Sequence, residues 1–292
     1  AVETFKINFP EVPVYHGDIT ALTGGECMRI AGVSKGELDV LDGSPPCQGF
    51  STAGKRKFDD PRNSLFIEYA RMVDELQPKV FVMENVTGMV KGYMKQAYLQ
   101  IVKTLRECGY QVKGQVMNAM YYNVPQSRQR VIIIGVRNDI DIEPSHPKPQ
   151  TMPITVEQAL VGVPDDSDNR FIKGFLVEYA KAHPGGWNTN DALYKKIKGS
   201  TASAMSTKWC EWGRVCGTLP KSEISTTGII HPNKKRYLSI SEMKRISSFP
   251  DSFTFTSRKS GVERIGNSVP PNLMREIAEH IKTNILEKVK EV

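Results

Sequence analysis

Leu38-Asp39-Val40-Leu41-Asp42-Gly43-Ser44-Pro45-Pro46-Cys47-Gln48-Gly49-Phe50-Ser51 reads as a short buried strand running into a turn-rich loop that carries a cysteine. The apolar run at 38–41 is strand-like and ends in Asp42-Gly43. A helix is expected over 65–76, where Leu65, Phe66, Tyr69, Met72, Val73 and Leu76 fall at helical spacing. Pro78 breaks it, and 80–83 is a second apolar strand. Residues 95–107 return to helical spacing and stop before Gly109. A third strand is expected over 112–117, and 131–136 is the most β-like run of all. Strands alternating with helices predict a mostly parallel, doubly wound α/β sheet of Rossmann-like type. In such a sheet the 43–51 segment lies at the carboxyl ends of the strands, where ligands bind.

Away from this segment the pattern changes. Pro144, Pro147, Pro149 and Pro153 punctuate a linker. Residues 160–235 are poorly periodic, rich in small polar residues and Lys, and contain Trp187, Trp209 and Trp212. They read as a small irregular lobe with the tryptophans as core anchors. Regularity returns at 240–249, and 270–289 forms an amphipathic helix opened by Pro270-Pro271. The expected organisation is a catalytic α/β domain over 1–150, a lobe over 151–235, and a C-terminal segment over 236–292 that returns to the first domain.

Composition sets bounds on function. The chain has 292 residues, 39 Lys+Arg and 32 Asp+Glu, for a net charge of +7. That permits an acidic partner such as nucleic acid without establishing one. No apolar run is long enough to predict a membrane span, and Ala1-Val2-Glu3-Thr4-Phe5 does not look like a secretory leader. Five cysteines in 292 residues are sparse and odd in number. They read as free thiols in a reducing, cytoplasmic compartment.

Four elements carry chemistry. Cys47 is flanked by Pro and Gly and followed by Lys55, Arg56 and Lys57. A lone cysteine is more often an inert packed thiol, but a loop after a strand with cationic neighbours favours a thiolate nucleophile. Glu84 ends the second strand, where a carboxylate serves either as a solvated strand end or, beside a thiolate, as an acid or base. Arg128 and Arg130 alternate in Gln126-Ser127-Arg128-Gln129-Arg130, and alternate residues of an extended segment share a face. A pair of surface arginines is the plain alternative. Gly266-Asn267-Ser268-Val269-Pro270-Pro271 is a helix entry with Pro in the first turn. No His partner for Cys47 is evident, and Cys210 and Cys216 lack zinc spacing, so no metal is expected.

Taken in order, PCQ at Cys47, ENV at Glu84, QxRxR ending at Arg130 and GNSV at Asn267 resemble the DNA cytosine-C5 methyltransferase family. The segment from Arg236 to Phe253 resembles the one preceding the last motif. The resemblance covers nearly the whole chain and is weakest over 150–210. It implies methyl transfer from S-adenosylmethionine to C5 of a cytosine flipped out of duplex DNA, within a restriction system or other bacterial or phage methylation. Cys47 would attack C6. Glu84 would hold the exocyclic amine and ring N3, Arg130 the O2, and Arg128 would support them. On the donor side, Asp18, Ile19, Pro46 and Leu65 would line the adenine end. Asn267, Ser268 and Val269 would meet the methionine end. Gln48, Ser51, Lys55, Arg56, Lys57 and Arg62 would contact DNA. So would Lys195, Lys196, Lys198, Lys208 and Arg214 in a target-recognition lobe, although a solvated face explains that last group equally well.

The start of the chain departs from this pattern. The family's Gly-rich donor loop and ribose-binding carboxylate have no counterpart in the first residues, and Gly24-Gly25 comes too late. The expectation is therefore a domain lacking its first strands, about 30 or more residues, with its sheet edge open and a complementing chain as one way to close it. On that expectation an inactive DNA-binding relative stays open as an alternative, as does an RNA cytosine methyltransferase on the same scaffold.

Overall fold

The computed structural model describes residues 1–46, 64–92, 94–164, 170–183, 191–200, 208–223 and 228–289. In chain order its elements are α1 (Val2–Asn8), α2 (Gly24–Ala31), β1 (Val40–Gly43), α3 (Ser64–Leu76), β2 (Val80–Val86), α4 (Met94–Glu107), β3 (Tyr110–Asn118) and β4 (Gln129–Arg137). There follow α5 (Val156–Ala159), α6 (Phe175–Ala182), α7 (Asp191–Lys198), β5 (Lys208–Trp209), β6 (Ile229–Ile230), α8 (Ile240–Ile246), α9 (Arg258–Asn267) and α10 (Pro271–Ile281). The last helix continues through a π-helical stretch, Lys282–Leu286, into α11 (Glu287–Val289).

The chain divides into two compact units. The sheet unit comprises Val12–Met117, Gln129–Lys148 and Glu276–Val292. Its four strands lie in the order β1-β2-β4-β3. β1 runs parallel to β2, and β2 runs antiparallel to β4. The mostly parallel sheet expected from the sequence is therefore corrected. β4 enters between β2 and β3, and the segment joining β3 to β4 is too short to hold the crossover helix that a parallel pair needs.

The apolar runs explain the burial. Val80, Phe81, Val82 and Met83 of β2, and Val131 to Ile134 of β4, are all essentially inaccessible. A strand buried on both faces loses the in–out alternation and reads as a continuous apolar run. Phe81, Met83, Val131 and Ile133 pack with Phe66, Tyr69 and Val73 of α3 and with Ile101 and Leu105 of α4. Each such side chain contributes about 1.5–3 kcal/mol when fully buried. The helix stops where Gln77 turns to φ 49°, just before Pro78. Gly43 is required at the end of β1 because the ring of Tyr69 lies where a Cβ would stand.

The second unit comprises Ala1–Glu11, Asn118–Arg128 and Pro149–Arg275. Within it, residues 118–128 are bonded to the 215–220 and 247–272 regions. The aperiodic region has a core of its own. Leu176, Tyr179, Tyr194, Trp209, Ile230 and Tyr237 pack together, with the Trp209 indole stacked on His183 at 4.3 Å. Trp209 anchors the core as expected, Trp212 is 42% exposed, and Trp187 lies outside the described residues. A second core joins Val156, Leu219, Ile229, Leu238, Met243, Ile246 and Ile265. α8 starts at a capping box in which Ser239 and Glu242 bond each other's backbone N–H. The Glu242 carboxylate also receives both terminal nitrogens of Arg236 at 2.7 Å and His231 Nε2 at 3.3 Å. α1 belongs to this unit: the Asn8 amide and the Thr254 backbone exchange two hydrogen bonds of 2.8 Å, and the Phe9 and Phe253 rings meet edge-on.

Candidate active site

At the carboxyl end of β2 the strand turns from apolar to polar at Glu84. Register places Glu84 beside Ile132 and Val86 beside Arg130, so the Glu84 and Arg130 side chains rise on one face of the sheet. Arg130 Nε meets Glu84 Oε1 at 2.7 Å, with the side chains only 14% and 12% exposed. Burial lowers the proton affinity of the Arg130 guanidinium, and Glu84 opposes that. A half-desolvated ion pair of this kind is an oriented acceptor and donor with little water between them.

Asn85, which follows, is 6% exposed and turns the other way. Its Nδ2 donates to the Pro45 carbonyl at 2.9 Å, and its Oδ1 accepts from Val86 N–H. This amide ties the end of β2 to the loop leaving β1, two residues before Cys47. Cys47 lies outside the described residues, as do Gln48, Ser51, Lys55, Arg56, Lys57 and Arg62. Pro46 is exposed. Asp42 of β1 is an exposed residue, yet partial desolvation of its carboxyl and the Glu84 charge push it above its ordinary value, while the Gly43 N–H works against them.

Elsewhere in the sheet unit, Asp18 Oδ1 accepts from the Thr20 N–H at 2.9 Å and hydroxyl at 2.8 Å. These bonds hold its carboxyl below its ordinary value. Arg71 of α3 donates to the carbonyls of Ile19 and Leu22 at 2.9 and 2.8 Å. It thereby fixes the Asp18-Ile19 turn to the helix whose first turn carries Leu65, itself 38% exposed.

In the second unit, Arg128 is 2% exposed. Its guanidinium donates to the carbonyls of Gly266 at 2.7 Å and Leu219 at 3.3 Å. These bonds tie the segment that leads into β4 to the 219 and 266 regions of its own unit. Gln126 acts alongside Arg128, donating to Ser247 Oγ at 2.8 Å and accepting from the Leu219 N–H at 3.2 Å. Gly266 has no room for a side chain, because the backbone of Pro220 and Lys221 passes directly over it. Asn267 ends α9 and is exposed, Ser268 caps the helix and donates to the Arg264 carbonyl, and Val269 precedes α10. The expected helix entry is thus a tight junction between two helices.

The expected phosphate contacts of the lobe are more varied. Lys198 donates to the Tyr194 hydroxyl at 2.9 Å and lies over the Phe175 ring, so it serves packing. Lys195 and Lys196 share the last turn of α7, Lys208 is half-buried on β5, and Arg214 pairs with Glu211 at 3.0 Å. A cavity of about 330 Å³ opens beside Trp212, His231, Arg236 and Glu242, but these polar groups already satisfy one another. Sequence reasoning missed the Asn85–Pro45 tie. The available signal was a polar residue set within or directly after an apolar strand.

Comparison with known proteins follows this geometry. The model of a family described as C-5 cytosine-specific DNA methylase matches residues 1–283. Type II methyltransferase M.XorII of Xanthomonas oryzae pv. oryzae is 32% identical, over 97% of this chain and 77% of its own. Type II methyltransferase M1.HphI of Haemophilus parahaemolyticus is 33% identical, over 96% of this chain and 77% of its own. Among solved structures, a prophage-encoded protein of Escherichia coli superposes with TM-score 0.69 at 24% identity, covering 98% of this chain and 90% of the other. DNMT2 of Spodoptera frugiperda gives 0.66 at 20% identity, covering 96% and 88%. At these identities the two structures bear on the fold alone, an α/β methyltransferase-like fold.

The match from residue 1 overturns the expectation of a chain that lacks the family's first segment. The N-terminal residues fall within the family's domain, and α1 is bonded into the second unit through Asn8 and Thr254. Among the described residues, no helix is long and apolar enough to cross a membrane.

Proposed function

The chain belongs to the C-5 cytosine-specific DNA methylase family, and from that premise we propose how its residues divide the work of an S-adenosylmethionine-dependent DNA (cytosine-5-)-methyltransferase. Cytosine C5 is too weak a nucleophile to take a methyl group unaided. The Cys47 thiolate forms a bond to C6, and the displaced π electrons make C5 electron-rich. Glu84 holds the exocyclic amine and gives a proton or hydrogen bond to N3, drawing charge off the ring as sulfur adds. Arg130 holds O2 and keeps Glu84 oriented. When the C5 proton leaves, the C6–S bond breaks and returns the electron pair to Cys47. The base reaches this site only after leaving the duplex. The observation that carries the reading is the 2.7 Å Glu84–Arg130 pair at the carboxyl end of β2, beside a loop that Asn85 holds through Pro45.

S-adenosylmethionine supplies an electrophilic methyl group. Asp18 is an ionised acceptor for the adenine amine, and Ile19, Pro46 and Leu65 offer apolar surface to the ring. Asn267, Ser268 and Val269, set at the helix junction by Arg128, suit the methionine end. Gln48, Ser51, Lys55, Arg56, Lys57 and Arg62 form the DNA-contacting loop. Residues 151–235 select the target sequence, with 1–150 and 236–292 as the catalytic portion. The setting is the cytoplasm of a bacterium or of a phage-infected cell, where DNA and the donor meet.

Incubation with duplex DNA and labelled S-adenosylmethionine tests the assignment. The native chain labels cytosine C5, and Cys47→Ser does not. Equal labelling by both sinks the role of Cys47. Stronger labelling of tRNA than of duplex DNA moves the substrate to RNA.

A further inference from the structure

The carboxyl of Asp18 is bonded locally, to Thr20 two residues on. None of residues 12–22 is buried, so no fully buried side chain anchors this segment in the sheet unit. Polar ties take that part. Among the described residues, the hydrogen bonds that join 12–22 to the rest of the unit come from one side chain, Arg71 of α3. Its Nη2 donates to the Ile19 carbonyl at 2.9 Å and the Leu22 carbonyl at 2.8 Å. Its other nitrogens are engaged on the helix itself. Nε donates to Glu68 Oε2 at 2.7 Å, and Nη1 donates to Glu75 Oε1 at 3.0 Å. The second Glu75 oxygen accepts from the Gly24 N–H at 2.5 Å, at the start of α2. Arg71 and the Gly24 N–H hold the Glu75 carboxyl below its ordinary value, so it stays charged.

Glu68, Arg71 and Glu75 stand three and four residues apart and share one stripe of α3. Leu65, three residues before Glu68, begins that stripe and is 38% exposed. One helix face therefore carries an apolar side chain and a clamp on the turn beside it. A guanidinium suits the clamp, because its planar fork presents five donors in fixed directions. A Lys ammonium cannot reach two carbonyls and two carboxylates in that arrangement.

We propose that Arg71 is a positioning residue of the S-adenosylmethionine site, holding the Asp18-Ile19 turn against α3 so that Asp18, Ile19 and Leu65 meet the adenine together. This rests on the reading of those three residues given above and adds the group that sets their places. Without Arg71 the donor must order the turn as it binds, and that cost appears as weaker binding. The adenine takes no part in methyl transfer, so the chemical step is spared.

The test uses the full chain with Arg71→Gln, Arg71→Lys and Asp18→Ala beside the native protein. Calorimetric titration with S-adenosylmethionine gives Kd without turnover. In Arg71→Gln it rises by about tenfold. Arg71→Lys keeps the positive charge between Glu68 and Glu75, which guards against a folding defect, and falls between the two. KM for the donor follows Kd, while kcat at saturating donor and KM for DNA stay within about twofold. In the free protein, amide hydrogen exchange over residues 18–22 speeds up in both Arg71 variants. Native Kd in both variants, native exchange over 18–22, or kcat and both KM values worsening together overturns the inference. The two layers separate. If Asp18→Ala binds the donor as the native chain does, the reading of Asp18 falls and this inference with it. If Asp18→Ala weakens binding while both Arg71 variants bind normally, the Arg71 inference alone falls.

Discussion

Arg130 Nε and Glu84 Oε1 lie 2.7 Å apart where β4 begins beside the end of β2, so each helps to orient the other. Breaking such a pair leaves a poorly solvated charge behind. Glu84→Gln is expected to lower kcat by about 10²–10⁴-fold, the range that a positioned acid contributes. Arg130→Ala is expected to lower kcat and to loosen Glu84. In a double-mutant cycle the two losses should be far from additive, because each variant already removes the pair. Steady-state kinetics on the four proteins checks this, and additive losses contradict it.

Asn85 gives a second expectation. Its amide satisfies the buried Pro45 carbonyl at 2.9 Å, and that carbonyl stands two residues before the nucleophile. Asn85→Ala removes this hydrogen bond at a cost of about 0.5–1.5 kcal/mol and loosens the approach to Cys47. The expected result is a lower kcat with little change in KM for S-adenosylmethionine, together with a lower Tm. A variant that melts earlier but turns over normally would make Asn85 structural only.

Gly266 gives a third. The backbone of Pro220 and Lys221 occupies the space of a Cβ, and neither is the movable tip of a side chain. Gly266→Ala is expected to cost about 1–3 kcal/mol by overpacking and to displace Asn267 and Ser268. Chemical denaturation gives the first quantity, and calorimetric titration with S-adenosylmethionine gives the second. Unchanged stability contradicts the packing argument.

Glu242 sets a pH dependence. Burial on its own raises its proton affinity, but Arg236, His231 and the Ser239 N–H outweigh that and bring the carboxyl down to about 2, from an ordinary 4.5. A carboxyl depressed by folding stabilises the folded state above its unfolded value, and the stability is lost as pH falls through the folded one. Melting curves should therefore show this contribution intact above about pH 4.5 and fading toward pH 2. Glu242→Gln should flatten that part of the profile and lower Tm at pH 7. A variant with the native acid profile would show that the cluster is not responsible.

Much of this was legible in the chain before its fold was known. The runs at 80–83 and 131–136 and the spacing from Leu65 to Leu76 mark elements that the structure contains, because burial on both faces of a strand and on one face of a helix leaves a simple pattern. The antiparallel entry of β4 was not legible, since periodicity says nothing about strand direction. The order of residues 160–235 was equally hidden. Strands of two residues and a core built from Tyr179, Trp209 and Tyr237 are too short and too non-local to set up a period. For the site, motif order brought Glu84 and Arg130 together, while the alternation of Arg128 and Arg130 put both on one face. The partners tell them apart: Arg128 donates to the backbone carbonyls of Leu219 and Gly266, whereas Arg130 meets the Glu84 carboxylate besides the Gln129 carbonyl.

The account depends most on a covalent bond between Cys47 and cytosine C6. Duplex DNA carrying 5-fluorocytosine at the target cannot lose a C5 proton, so the C6–S bond has no route to break after methyl transfer. Incubation of the native chain with this DNA and S-adenosylmethionine is expected to give a denaturation-stable protein–DNA adduct. Peptide mass spectrometry should map that adduct to Cys47, and Cys47→Ala should form none. An adduct that persists in Cys47→Ala, or full methylation of ordinary cytosine by that variant, would contradict the account.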